Sequence, residues 1–257
     1  MDGAPDDAFI QIQDEVRQHF GWAHEDDAKS AVALLSACEN HPHADAFGWS
    51  RTARNATLER IRGVLTTADS VVLVGAAAQR KELDRSWPAG TVFVAADGAV
   101  GACLDLVMPA CVVTDLDGGE HLDAAVSRGV PLFVHAHGDN LSTWARLLRA
   151  WSSNPPQLVL THQCRNPIEG MLNPGGFTDG DRAACLMRWL GVEEEKVIFV
   201  GYSTGRVGPW SGTTDPVRKL EKLAWMATVL DLVSPKWRTG GGDVPSPDST
   251  KDLETQA

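Results

Sequence analysis

Through the first 66 positions apolar residues recur at three- and four-residue spacing: Phe9, Ile12, Val16 and Phe20, then Ala28, Val32 and Leu35, then Leu58, Ile61 and Leu65. That period predicts amphipathic helices, broken in two at His41-Pro42-His43. From residue 71 the pattern changes to short β-branched runs without polar alternation, at 71–74, 91–95, 111–114, 131–134, 158–161 and 197–200. Such runs suit strands buried on both faces. Helix-like stretches between most of them, including 140–151 and 179–190, predict a parallel sheet with helical crossovers. A last helix is expected from about Asp215 to Val233, with Leu220, Leu223, Ala224, Ala227 and Leu230 on one face. The Gly/Pro/Asp/Ser-rich stretch from Lys236 predicts a disordered tail. The expected fold is therefore α/β: a doubly wound, mainly parallel six-stranded sheet at 67–235, a helical N-terminal region at 1–66, and a tail at 236–257.

Composition narrows the function. The chain of 257 residues is 43% hydrophobic and 22% charged, ordinary for a globular protein with a full-sized core. Its 34 acidic against 23 basic residues give a net charge of -11, which opposes a large nucleic-acid surface but leaves room for a local phosphate pocket. No apolar run approaches the ~20 residues that cross a bilayer, so no membrane partner is expected. The start MDGAPDDAFIQ has neither a basic nor an apolar leader segment. Five cysteines at 38, 103, 111, 164 and 185, an odd set without a C-x-x-C pair, read as reduced core thiols in a cytoplasmic protein.

The chemistry lies in the turns at the strand ends. The run at 91–95 leads into Asp97-Gly98, and 111–114 into Asp115-Leu116-Asp117-Gly118-Gly119. The run at 131–134 leads into His135-Ala136-His137-Gly138-Asp139-Asn140, and 197–200 into Gly201-Tyr202-Ser203-Thr204-Gly205-Arg206. Ligands of open parallel sheets bind beyond the carboxyl ends of the strands, so these carboxylates share one edge. Asp and Gly also make good turns and caps, the plainer account of any one of them. A further group, Thr178-Asp179-Gly180-Asp181-Arg182, comes after the loop Asn173-Pro174-Gly175-Gly176-Phe177. Thr178 or Asp179 would cap the next helix; equally, the helix amides, the Asp pair and Arg182 suit a metal-bound polyphosphate. Grouped carboxylates repel unless a cation neutralises them, and oxygen ligands point to Mg²⁺ rather than zinc. That layout is one of phosphoryl or diphosphoryl transfer.

Competing signals are weaker. His135-x-His137-x-Asp139 invites a two-metal hydrolase, but position 140 is Asn where that motif wants His. There is no G-x-x-x-x-G-K-[ST], and Gly75-Ala76-Ala77-Ala78 lacks two of the three glycines of a dinucleotide turn. Lys219 and Lys222 sit on a helix face, either solvated or reaching phosphates. His137 is a substrate donor or a neutral supporting group.

The ordered series of Ala96-Asp97-Gly98-Ala99, Val113-Thr114-Asp115-Leu116-Asp117-Gly118, His135 to Asn140, Gly176 to Ala183 and the Lys-Leu-x-Lys-Leu helix resembles the archaeal-type 6-hydroxymethyl-7,8-dihydropterin diphosphokinases, themselves distantly similar to thiamin pyrophosphokinases. The resemblance runs from about residue 70 to 233. It implies Mg²⁺-dependent transfer of diphosphate from ATP to the pterin hydroxymethyl group, releasing AMP, in cytoplasmic tetrahydrofolate or methanopterin synthesis. It implies that Asp115 and Asp117 are a metal-binding pair, and that Asp139, Asp179 and Asp181 make further metal and nucleotide contacts. We therefore expect Asp115, Asp117 and Asp139 as catalytic residues and, with Asp181, as metal ligands. ATP phosphates are expected at Asp179, Asp181, Arg182, Lys219 and Lys222, and the pterin near Asp97, Gly98, His137 and Asn140. Relatives commonly carry a Gly-x-Gly-Pro-Ser turn where this chain has Gly75-Ala76-Ala77-Ala78-Gln79. Thiamin diphosphokinase, a nucleotide-sugar transferase on the same scaffold and a non-enzymatic nucleotide-binding module are the alternatives; a homo-oligomer is compatible with all of them.

Overall fold

The computed structural model describes residues 7–212 and 215–238. Six strands form one all-parallel sheet: β1 (Ser70–Val74), β2 (Thr91–Ala96), β3 (Cys111–Thr114), β4 (Leu132–Ala136), β5 (Leu158–His162) and β6 (Val197–Val200), in the order β5-β4-β3-β2-β1-β6. The helices are α1 (Asp7–Phe20), α2 (His24–Glu39), α3 (Ala44–Phe47), α4 (Arg51–Thr67), α5 (Arg80–Leu83), α6 (Val100–Cys103), α7 (Gly119–Ser127), α8 (Leu141–Ala150), α9 (Asp179–Leu190) and α10 (Pro216–Val233). No helix among the described residues is long and apolar enough to cross a membrane.

Alternate strand residues enter two separate cores, as the pleat requires. Val72, Val74, Ala95, Val112, Leu132, Val134 and Leu160 face a layer containing α2, α7 and α8. Val71, Leu73, Val94, Val113, Phe133 and Val159 face α4, α9 and α10. The sheet is thus covered on both sides, and the apolar runs result from that.

The N-terminal helices are integral to these cores. Leu34 of α2 and Leu65 of α4 are completely buried, on opposite faces of the sheet. Each such side chain contributes roughly 1.5–3 kcal/mol relative to exposure. Helix α1 packs Phe9, Ile12 and Val16 against Phe177, Cys185 and Val229.

Two expected faces differ from the structure. Val32 is 55% exposed, because α2 turns Asp27, Ser30, Ala31, Leu34 and Cys38 inward instead. Leu220 is also exposed, α10 burying Leu223, Met226, Val229 and Leu230. The boundary expected at Lys236 falls inside a 3-10 turn, Pro235–Arg238, with Trp237 buried and its Nε1–H donating to Asp231 at 2.9 Å. The rest of the expected tail, 239–257, lies outside the described residues.

Candidate active site

The chain leaves β1 toward β2 and steps outward to β5, then returns to place β6 on the other edge of β1. The connections diverge at the carboxyl ends of β1 and β6, where an open α/β sheet forms its ligand crevice. A cleft opens there, floored by the turns after β1, β2, β3 and β6 and walled by the start of α9 and one side of α10.

The turns after β1 and β6 are laced together. Gly75 N–H donates to Val200 O (2.8 Å) and Ala77 N–H to Gly201 O (2.9 Å). Gly201 sits at φ +70°, and a Cβ there would lie 2.1 Å from Ala78 N. Gly208 is equally constrained, its hypothetical Cβ 2.0 Å from Ala76 O. Trp210 closes this side, its ring nitrogen donating to Ala78 O at 2.8 Å. The Gly75–Ala78 turn therefore lines the cleft although it lacks the glycines of related turns.

Asp97, just past β2, has φ +45°, a backbone strain of about 1–3 kcal/mol that functional sites often carry. Its Oδ1 accepts from Thr114 Oγ1 at 2.5 Å and from Gly118 N–H at 3.0 Å. Asp115, after β3, accepts from His137 Nε2 at 3.4 Å through Oδ2, while its buried Oδ1 has no partner among the described residues. Asp179 is the first residue of α9, and its Oδ1 lies 3.3 Å from Arg182 Nη1. One oxygen from each of Asp97, Asp115 and Asp179 lies within 4.8 Å of the others, so the three could hold a metal ion.

The charges show what this arrangement costs. Burial and the Asp115 charge raise Asp97 to about 7, and the same two causes raise Asp179 well above the carboxylate range. Burial also opposes ionisation of Asp115, but His137, Arg182 and Lys219 outweigh it and hold its carboxyl well below the usual range. Asp117 lines the cleft and is raised by Asp115 and by burial. Three crowded carboxylates, one with a buried unpaired oxygen, fit a hard cation with oxygen ligands, and no cysteine shares the triad.

The other expected site residues fall into three groups. Lys219 and Lys222 line the cleft opposite the carboxylates. Burial, with Lys219 and Arg218 nearby, lowers Lys222. His137 bridges Asp115 and Asp139, its Nδ1 2.5 Å from Asp139. Burial works against its charge, yet the two carboxylates raise it to about 9 and favour its charged form. Asp139 itself is 80% exposed and reaches the triad only through His137.

The third group is structural. Asp181, expected to bind metal, is completely buried and accepts from the Phe177 and Thr178 amides and the Thr178 hydroxyl. At the third helical position it reaches back to cap α9, so neither oxygen is left for a cation. Arg182 is buried and pairs with Asp179 and Gln163, away from the cleft lining. Asn140 ties two turns together, donating to His135 O (2.7 Å) and Asp115 O (3.0 Å). Gly98 admits close backbone packing, 2.5 Å from its hypothetical Cβ to Trp210 O. His135 lies inside β4, paired with Thr161, so the His-x-His-x-Asp residues do not converge as a two-metal hydrolase requires. Ser203 and Arg206, in the turn after β6 that the sequence places at the ligand edge, and Phe177, in the loop before α9, also line the cleft though no role was expected of them; Trp210, which no sequence signal marked, lines it too.

No protein-family model matches the chain. It is similar to three curated archaeal proteins, each named 6-hydroxymethyl-7,8-dihydropterin pyrophosphokinase. The protein of Pyrococcus furiosus is 41% identical over 120 residues, 46% of this chain and 48% of the relative. That of Methanothermobacter thermautotrophicus is 35% identical over 162 residues, 59% and 64% of the two chains. That of Methanocaldococcus jannaschii is 23% identical over 237 residues, 86% and 92%. The matched segment thus spans about half the length of the first relative and less than two thirds of the second. The resemblance read from the motif series is the one these relatives carry in their name.

Proposed function

We propose that the chain transfers a diphosphoryl group from ATP to the hydroxymethyl oxygen of 6-hydroxymethyl-7,8-dihydropterin, releasing AMP, with Mg²⁺ held by Asp97, Asp115 and Asp179. The observation that carries this is a half-buried carboxylate triad, in which the Asp115 Oδ1 is buried without a partner among the described residues, facing Lys219 and Lys222 across one cleft. The names of the three relatives supply the acceptor.

When bound, the cation neutralises charge on the polyphosphate and on the triad. The chain's own groups do the rest. Lys219 and Lys222 attract the phosphates from the α10 wall, and the start of α9, with Thr178 to Gly180 in the lining, offers amide dipoles to anions. Phe177, Tyr202 and Trp210 give the cleft apolar walls for flat rings. The hydroxymethyl oxygen bonds to the β-phosphorus of ATP and its proton passes to solvent, while the bond from that phosphorus to the bridging oxygen breaks and that oxygen leaves with AMP. Asp117, lining the cleft beside the triad, would add a further carboxylate toward the cation. A cytoplasmic role in tetrahydrofolate or methanopterin synthesis belongs to the same reading.

Incubation with ATP and Mg²⁺, with either the hydroxymethylpterin or thiamin as acceptor and AMP as the readout, tests it. AMP formed one-to-one with diphosphorylated pterin is the expected result. No AMP with pterin, or AMP with thiamin alone, overturns the assignment.

A further inference from the structure

Behind the triad lies a chain of buried polar groups that the proposed chemistry does not use. Gln163, 5% exposed and just past β5, is its centre. Its Nε2 donates to Asp27 Oδ2 at 2.8 Å. Its Oε1 accepts from Arg182 Nη2 at 3.2 Å and lies 3.3 Å from His135 Nε2. Arg182 Nη1 in turn reaches Asp179. Asp27 is held from its other side by Arg17 Nη1 at 3.1 Å, and its Oδ1 accepts the Gly138 N–H at 2.8 Å, beside His137. Asp27, on α2, thus stands behind two of the three carboxylates: Asp179 through Gln163 and Arg182, and Asp115 through the turn that carries His137.

The direction of each bond is fixed. A guanidinium only donates and a carboxylate only accepts, so the Gln163 amide has one satisfactory orientation, NH₂ toward Asp27 and oxygen toward Arg182. Burial keeps His135 neutral, so it holds one proton, and donating from Nε2 satisfies the same oxygen. Arg182 Nε has no partner among the described residues, which leaves its two Nη groups to set the guanidinium plane. Burying Arg17, Asp27 and Arg182 is expensive, and apolar packing would stabilise the fold at least as well.

We propose that Gln163 and Asp27 are positioning residues: their hydrogen-bond chain holds Arg182 so that one Asp179 oxygen is occupied and the other is turned toward Asp97 and Asp115. This rests on the reading of the triad as a cation site. Asp27→Asn keeps shape but places an NH₂ against Gln163 Nε2 and Arg17, or against Gly138 N–H. In the first orientation Gln163 has to flip and face Arg182 with its own NH₂; in the second the Gly138 N–H beside His137 loses its acceptor. Gln163→Met keeps the volume and removes the link while leaving Arg17 and Asp27 paired.

The experiment is Mn²⁺ binding to the full-length protein by electron paramagnetic resonance, without substrate, alongside thermal melts. Both variants should bind Mn²⁺ roughly tenfold more weakly, the usual effect of removing a partner that orients a metal ligand. Should Asp27→Asn fail to fold, Gln163→Met decides alone. A lowered melting temperature with Mn²⁺ affinity within about twofold of wild type would mean the chain is only structural and overturns the proposal, as would a wild type that binds no Mn²⁺. Weakened binding in the variants of a protein that makes no AMP would support the positioning role while refuting the diphosphokinase reading.

Discussion

Asp179 and Asp181 lie two residues apart at the start of α9, yet Asp179 lines the cleft and Asp181 caps the helix. Asp179 points into the cleft, where burial and the neighbouring carboxylates already disfavour its charge. Asp179→Asn should therefore leave the metal-free fold at least as stable as wild type, since it removes a repelled carboxylate and keeps an oxygen for Arg182. It also removes one of three ligands, a loss of roughly 100-fold in turnover if that carboxylate supplies about 3 kcal/mol of metal-borne stabilisation. Wild-type protein at a Mg²⁺ concentration about 100 times its Kd gains about 2.7 kcal/mol. For a domain of this size that is a rise of roughly 5–10 °C in Tm, which Asp179→Asn should lose. Asp181→Asn is the contrast, because an amide oxygen still accepts from the Phe177 and Thr178 amides. Its turnover and Mg²⁺-dependent melting shift should stay within about threefold and a few degrees of wild type. Steady-state AMP release and melts with EDTA or Mg²⁺ measure both. Mg²⁺-dependent stabilisation retained in Asp179→Asn and lost in Asp181→Asn would refute the assignment.

Acid should destabilise the fold through His162. Burial lowers its pKa to about 4 despite Asp27, whereas the unfolded side chain protonates near 6.5, so the unfolded state binds more protons between those values. Stability is full above pH 6.5 and falls by about 3 kcal/mol as pH drops to 4. His162→Asn, which keeps an acceptor for Cys164 N–H, should show a shallower fall of Tm from pH 7.5 to 4.5; parallel curves would refute this. Gly208→Ala should raise the KM for ATP tenfold or more and lower Tm, because its Cβ meets the Ala76 carbonyl, whereas Gly205→Ala, with nothing within 4 Å, should match wild type.

The strands are legible in the sequence because both sheet faces are covered, leaving runs such as Val71 to Val74 with no polar alternation. Their ends are not. Strands β4 and β5 continue through His135 and His162, polar residues whose partners, Thr161 and the Cys164 amide, come from tertiary structure. The face of α2 misleads for the same reason. Apolar periodicity turns Val32 inward, but the buried stripe runs through Asp27 and Ser30, polar residues that bond to Gln163 and Asn140.

The site divides along similar lines. Asp97 and Asp115 can be found as acids beside glycines at strand ends, since the chain must turn there and the sheet edge gathers those turns. Choosing between Asp179 and Asp181 needs the cap: Thr178 with an acid three residues on is a helix-start signature, and it consumes Asp181. Asp139 has the composition of a ligand but sits on the outer side of a turn whose inner side Asn140 fills.

Metal-ligand geometry tolerates little drift, and a carboxylate on a turn has rotational freedom unless something opposes it. Here Thr114 and Gly118 restrain Asp97, His137 restrains Asp115, and Arg182 restrains Asp179. Two of those three restraints trace back to α2 through Asp27, and Arg17 of α1 holds Asp27 in turn. The N-terminal helices therefore do more than cover apolar sheet. They supply the far end of the hydrogen-bond chain that orders the cleft, which accounts for charged residues on a helix face where the apolar pattern alone expects Val32.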